Sequence, residues 1–255
     1  MRTVDGGTAA SARPLGDRIA LLLGSGEFEP WAEEAERAAL ARARSGDGSV
    51  AILPTASATE GDQVFTRWGR LGLEHYTSLG IPAHFLPVKT RADASLPASA
   101  EAVASSSMIF FSGGKPSYLA ATLRGTPLWT AVLQAVDRGA VFAGCSAGAM
   151  IAGASPPQGR ARRRGMWTSG LDVVPGVTFG AHWDAAPRAL FPLRDLAAAT
   201  APRERWFIGI DEHTAALADA NAWEVFGSGS VHLRKGKIRG SFSAGQRFTL
   251  GSAGG

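Results

Sequence analysis

The chain of 255 residues has one cysteine, Cys145. A single thiol forms no intramolecular disulfide, so the chain is not a disulfide scaffold of an oxidising compartment. No apolar run reaches the length that spans a bilayer, and Met1 to Asp17, rich in Gly, Ala, Ser and Thr, lacks the apolar centre of a signal peptide. A cytoplasmic protein with no membrane partner is therefore expected. There is no H-E-x-x-H, no cysteine cluster, no complete G-x-G-x-x-G and no G-K-[ST]. No metal and no organic cofactor are expected on that ground. Lys and Arg number 26 against 22 Asp and Glu, a formal charge of +4, but basic and aromatic residues do not interleave. Nucleic acid is accordingly not an expected partner.

What the chain does have is an alternation of strands and helices. With 45% hydrophobic and 19% charged residues, it has the composition of one soluble α/β domain, placed at residues 17–250. Residues 1–16 read as a disordered leader and 251–255 as a disordered tail. Apolar runs at 18–23, 49–53, 82–88, 107–111 and 140–143 read as buried strands. Helical patterns at 30–44, 62–79, 95–106 and 127–137 lie between them. Continuous apolar strands separated by helices predict a parallel sheet covered on both faces. Right-handed crossovers then bring the loops after the strands to one edge. From Trp206 the texture turns to β structure, with a hairpin around Lys235-Gly236 and an edge at 248–250. Gly24-Ser25-Gly26-Glu27-Phe28 reads as a plain βα turn. Residues 155–168, with Arg160 and Arg162-Arg163-Arg164, read as a solvated surface loop or a basic flap over the substrate.

The last of the parallel strands runs into Gly144-Cys145-Ser146-Ala147-Gly148. Strand, sharp turn with serine at the apex, then helix is the context of a nucleophile elbow. Glycines are needed there because the apex backbone is strained and its neighbours must approach closely. The helix N-terminus after Ser146 offers free N–H groups where an oxyanion would form. A serine hydroxyl is a weak nucleophile until a base takes its proton, and that base needs an orienting group. Of the five histidines, His75, His84 and His232 lie within a helix, a strand and a hairpin and read as packing or surface residues. His182 and His213 lie in polar breaks beside apolar runs, and both are candidates for the base. Glu212, Asp211, Asp184 and Asp172 are candidates for the orienter, with Glu212 and Asp211 favoured by their place at a strand end.

Gly144-Cys145-Ser146-Ala147-Gly148-Ala149 resembles the G-x-S-A-G-A elbow of the aspartyl dipeptidase/cyanophycinase family of serine peptidases. Phe110-Phe111-Ser112-Gly113-Gly114 is similar to that family's F-x-G-G segment. Residues 171–177 are similar to its G-L-x-x-x-P-G approach to the histidine, with His182 in that slot. Residues 209–215 resemble G-I-D-E-x-T-A, and 226–231 resemble a G-x-G-x-V strand turn. The likeness spans residues 18–250. It implies a flavodoxin-like three-layer α/β sandwich, mostly parallel, with a C-terminal β hairpin or meander. It also implies Ser146 as nucleophile, His182 as general base and Glu212 as orienter. The N–H groups of Ala147 and Gly114 would be oxyanion donors, with Gly113 beside them. Known members remove N-terminal Asp from dipeptides or cleave the β-linked Asp-Arg units of cyanophycin.

Two departures bear on substrate. Lys115-Pro116 stands where the family carries Asn or Asp followed by Gln, and Lys115 suggests an anionic group on the substrate. Only Arg188 follows His182 closely, where cyanophycin-cleaving members have an Arg-rich run, which argues against cyanophycin itself. The expectation is a serine peptidase or amidohydrolase, monomeric or homodimeric, acting on small peptides or amides through an acyl-enzyme. The competing readings are an amidotransferase-like enzyme using Cys145 and a non-catalytic binding or regulatory relative.

Overall fold

The computed structural model describes residues 2–4, 16–153, 170–185 and 205–251. Among these, thirteen strands form two sheets. The first five strands of the central sheet after the N-terminal edge are β2 (Ile19–Leu23), β3 (Val50–Leu53), β4 (Ala83–Phe85), β5 (Met108–Phe111) and β6 (Val141–Cys145). They are mutually parallel, in the spatial order β2-β6-β5-β3-β4.

The alternation of side chains along these strands sorts the core into two layers. Ile19, Leu21, Leu23, Ala143 and Cys145 face helices α1 (Glu33–Arg42) and α2 (Asp62–Ser78). Ala20, Leu22, Phe111 and Phe142 face the opposite layer. That layer holds the short α3 (Arg91–Ala94) and α4 (Pro97–Glu101), then α5 (Pro116–Leu123), α6 (Pro127–Asp137) and α7 (Ala147–Ala152). Burial on both faces is why the strands lack any polar alternation. The result is the flavodoxin-like sandwich that the family resemblance implies.

Strand β7 (Val177–Gly180) pairs in parallel with β8 (Trp206–Ile210) in a second sheet. After β8 come β9 (Thr214–Asp219), β10 (Ala222–Gly227), β11 (Ser230–Lys235), β12 (Ile238–Ser243) and β13 (Arg247–Leu250). Strands β9, β10 and β13 extend the central sheet antiparallel beyond β2. The hairpin β11–β12 extends the second sheet, giving the order β12-β11-β8-β7. The hairpin turns at Gly236-Lys237, next to the Lys235-Gly236 pair around which the sequence pattern placed it.

Several boundaries differ from the sequence expectation. Strand β4 is short because Pro87 has no N–H to give a ladder. The helix expected over 95–106 is the shorter α4, and a separate single turn, α3, precedes it. Pro97 opens α4, and the residue before a proline is biased out of the helical region. Helix α5 was not anticipated; Pro116 is at its first position, where a missing N–H costs nothing. Arg2–Val4 forms β1, parallel to β13, within the stretch expected to be a disordered leader. The loop at 155–168 and residues 252–255 lie outside the described residues. Among the described residues no helix is long and apolar enough to cross a membrane.

Candidate active site

Strand β6 ends at Cys145, and Ser146 turns the chain into α7. Ser146 has φ 48° and ψ −104°, a left-handed backbone for a residue with a side chain. Its N–H donates to the Leu23 carbonyl (3.0 Å), and its own carbonyl accepts from Met150 N–H (2.9 Å). The flanking glycines are required by contact. A Cβ on Gly144 would lie 2.4 Å from the Gly148 carbonyl carbon, and one on Gly148 would lie 2.1 Å from the Phe111 carbonyl oxygen. The elbow is therefore pressed between β5 and the first turn of α7, with the serine at its apex.

Ser146 belongs to the central sheet, whereas His182 and Glu212 come from the second one. Helix α7 lies between the two: Leu171 and Val174 donate their N–H groups to the carbonyls of Ile151 and Ala152. Those contacts lead the chain into β7, and His182 follows β7 with φ 50°. The next residue, Trp183, holds this turn in place. Its N–H donates to the Ile210 carbonyl (3.0 Å), and its ring packs against Phe207 with centroids 4.7 Å apart. The ring also covers Gly209, where a Cβ would meet it at 2.6 Å.

Glu212 stands just past β8, in a turn braced on both sides. Asp211 accepts from Ser230 N–H (3.0 Å) and lies 3.0 Å from His232 Nε2. Thr214 Oγ1 donates to the Glu212 carbonyl (3.0 Å). Asp184 accepts from the Glu212 N–H (2.7 Å). Between these braces the Glu212 side chain reaches His182, with Oε1 2.8 Å from Nδ1. His182 Nε2 lies 2.9 Å from Ser146 Oγ. The imidazole and carboxylate are both about two-fifths exposed (44% and 40%), so the chain of three groups is open to solvent and to a ligand.

The other candidates have different places. His213, also at positive φ, lies 3.3 Å from Glu29 and edge-on to Trp31. It does not replace His182 as Ser146's neighbour. Asp211 faces His232, Asp184 serves the backbone of Glu212, and the carbonyl of Asp172 accepts from Arg18. His84 bonds the Ala102 carbonyl, and His75 is buried against Glu36. Each histidine read as structural is thus tied down away from Ser146.

The paired-glycine turn after β5 is beside the elbow. A Cβ on Gly113 would lie 3.6 Å from Ser146 Cβ. Gly114 has φ 135° and is in contact with Ala56 and Ser57, so only glycine fits. Lys115 is exposed at the start of α5, and its N–H donates to the Ala56 carbonyl (2.9 Å). The Gly113 N–H, beside the expected donors Gly114 and Ala147, donates to Glu27 Oε1 (2.7 Å). Glu27 was missed in the sequence, because one carboxylate in a Gly-rich turn has no periodicity to mark it. Arg188 lies outside the described residues.

Cys145 is fully buried, on the α1/α2 side of the sheet. Burial, and then the nearby Glu27 carboxylate, push its thiol well above the usual thiol range. A thiol kept protonated is not a nucleophile. This removes the physical basis for the amidotransferase-like use of Cys145. Among the described residues no group of three His, Cys, Asp or Glu side chains is arranged to hold a metal ion.

The chain is similar to known proteins over most of its length. The profile of peptidase family S51 matches residues 20–179, from β2 through the elbow to β7. A cyanophycinase of Nostoc sp. is 30% identical over 224 residues, which cover 84% of this chain and 72% of that protein. A cyanophycinase of Geminocystis herdmanii is 31% identical over 202 residues, covering 75% and 71%. Among solved structures, a peptidase from an acI-B1 actinobacterium superposes with a TM-score of 0.81 at 31% identity, over 92% of this chain and 99% of that one. A candidate peptidase E from Listeria monocytogenes, 16% identical with a TM-score of 0.58 over 82% of this chain, shares the fold. The paired-glycine turn and the serine elbow fall inside the matched span and the sandwich around them is shared, so the chain belongs to peptidase family S51.

Proposed function

We propose that the protein is a serine peptidase that works through an acyl-enzyme on Ser146. The observation that carries this reading is the continuous path from Glu212 Oε1 to His182 Nδ1, and from His182 Nε2 to Ser146 Oγ, at 2.8 and 2.9 Å. A carboxylate on Nδ1 fixes the tautomer with its proton there, which leaves Nε2 as the acceptor facing the hydroxyl. His182 takes the Ser146 proton as Oγ attacks the scissile carbonyl carbon. The oxyanion that forms is received by the N–H groups of Ala147 and Gly114, at the N-terminus of α7. His182 then passes the proton to the leaving amine, and water repeats the sequence in reverse to free the acid.

The proposed substrate is a short peptide or related amide carrying an anionic group. Lys115 supports this class, since it places an exposed ammonium one residue beyond the proposed donor Gly114. The curated relatives are cyanophycinases. The short supply of arginine after His182 in the sequence favours a small acidic peptide over cyanophycin for this chain. Screening a library of dipeptides and aminoacyl amides, with Ser146→Ala as the control, tests the reading. The expected result is cleavage of a subset with acidic residues, lost in the variant. Cleavage that persists in Ser146→Ala, or no cleavage of any member, counts against it. Lys115→Ala is expected to raise KM for acidic substrates about tenfold with little change for neutral ones. An unchanged preference would remove the assigned role of Lys115.

A further inference from the structure

We infer that Glu27 is a positioning residue that sets the direction of the Gly114 N–H, the proposed oxyanion donor. This rests on the proposed role of Ser146. Glu27 is only 7% exposed, in the Gly-rich turn at the carboxyl end of β2. Burying a carboxylate is costly unless it is bonded, so its partners matter. One partner is the Gly113 N–H, at 2.7 Å. The carboxylate lies directly under the paired-glycine turn: a Cβ on Gly113 would come within 3.1 Å of Oε1. The Cys145 thiol is near it, pushed up by burial first and then by the Glu27 carboxylate.

Two consecutive glycines have wide conformational freedom, and a turn built from them needs outside restraint. Three contacts supply it. The Gly113 N–H is held by Glu27, the Lys115 N–H by the Ala56 carbonyl at 2.9 Å, and Gly114 backs so closely onto Ala56 and Ser57 that a Cβ would come within 2.5 and 2.6 Å of them. Peptide planes are rigid, so fixing the N–H groups on both sides leaves the intervening plane little rotation. Of the backbone N–H groups of residues 112–115, that of Gly114 is the one without an acceptor among the described hydrogen bonds. Glu27 therefore acts at one remove, by aligning a group that would touch the oxyanion.

The test is the second-order rate at which a fluorophosphonate labels Ser146, measured across pH, because the phosphonyl oxygen occupies the oxyanion position. Glu27→Leu keeps the bulk and loses the acceptor. It is expected to slow labelling about tenfold to a hundredfold, less than outright loss of a donor. The pH midpoint, which depends on the base, should not move. Glu27→Gln keeps an acceptor oxygen and is expected to recover to within about fivefold of wild type. A general loosening of the site would shift the midpoint or fail to respond to glutamine. Should Glu27→Leu not fold, Glu27→Asp carries the test: one methylene short of Gly113, it is expected to melt cooperatively and label slowly. Wild-type labelling rates in Glu27→Leu or Glu27→Asp, or a Glu27→Gln protein as slow as Glu27→Leu, overturn the positioning role. Wild-type protein that does not label overturns the reading of Ser146, and the role of Glu27 falls with it.

Discussion

Two of the places where a carboxylate, an imidazole and a hydroxyl meet among the described residues are built for opposite ends. Between α1 and α2, Glu36 bonds His75 Nε2 through one oxygen (2.5 Å) and the Tyr76 hydroxyl through the other (3.0 Å). Glu36 and Tyr76 are fully buried and His75 nearly so. There the carboxylate is the centre and the hydroxyl is its donor. At the sheet edge the imidazole is the centre, with Glu212 on Nδ1 and Ser146 on Nε2. Only the second order lets a base withdraw a proton from a hydroxyl while a carboxylate steadies the resulting charge. Backbone geometry divides the two in the same way. His75 and Tyr76 lie in a regular helix, whereas Ser146 and His182 are both held at positive φ. Strain of that kind persists where the surrounding structure enforces it, and it collects at working sites.

The largest expected difference is in rate. Ser146→Ala or His182→Ala is expected to lower turnover by about a thousandfold or more, and Glu212→Gln by about a hundredfold or more. None of the three should change thermal stability greatly, because the groups are partly exposed. His75→Ala reverses the pattern. It strips a partner from a buried carboxylate and is expected to cost about 3 kcal/mol of unfolding free energy, read by denaturant titration. Ser146 in the folded protein should still label at the wild-type rate. A His75→Ala protein that is stable but slow would erase the distinction.

Alkaline titration gives a finer contrast. Burial, and then the charge of Glu36 beside it, hold the Tyr76 hydroxyl well above the usual phenol range. The unfolded chain loses that proton near pH 10 and the folded chain does not. Stability from this group is therefore complete below about pH 10 and declines above it by about 1.4 kcal/mol per pH unit. Tyr76→Phe is expected to flatten that part of the stability profile. An unchanged alkaline slope in the variant would show that Tyr76 is not the titrating group.

The smallest expected effect concerns a third set. Cross-strand pairing of β11 and β12 puts Ser241 opposite His232, with Oγ 3.4 Å from Nδ1, and His232 Nε2 lies 3.0 Å from both Asp211 oxygens. The order of carboxylate, imidazole and hydroxyl is that of the proposed site with the two ring nitrogens exchanged, but Ser241 is in an extended strand with no helix N-terminus behind it. Ser241→Ala is expected to change activity less than twofold. A fluorophosphonate adduct on Ser241 would show that connectivity suffices without the elbow.

Much of this was legible in the sequence because it depends on local pattern. Continuous apolar runs marked β2, β3, β5 and β6, and Gly144 and Gly148 around Ser146 marked the elbow. What stayed hidden depends on pairing between distant residues. Nothing near Val177 announces that β7 will pair with β8, so the second sheet, which carries His182 and Glu212, was not anticipated. For the same reason the residues alone left the base open between His182 and His213, and family resemblance pointed to His182. Glu27 was illegible because its meaning comes from Gly113, 86 residues away. The short β4 and the late start of α4 follow from Pro87 and Pro97, which were present in the sequence but overridden by the apolar and helical patterns around them.

The most direct measurement is the rate and location of fluorophosphonate labelling, mapped by mass spectrometry in wild type and in His182→Ala. A single adduct on Ser146 is expected, formed about a hundredfold or more slowly in the variant. An adduct elsewhere, or a His182→Ala protein that labels as fast as wild type, would contradict the proposal that Ser146, His182 and Glu212 act as one unit.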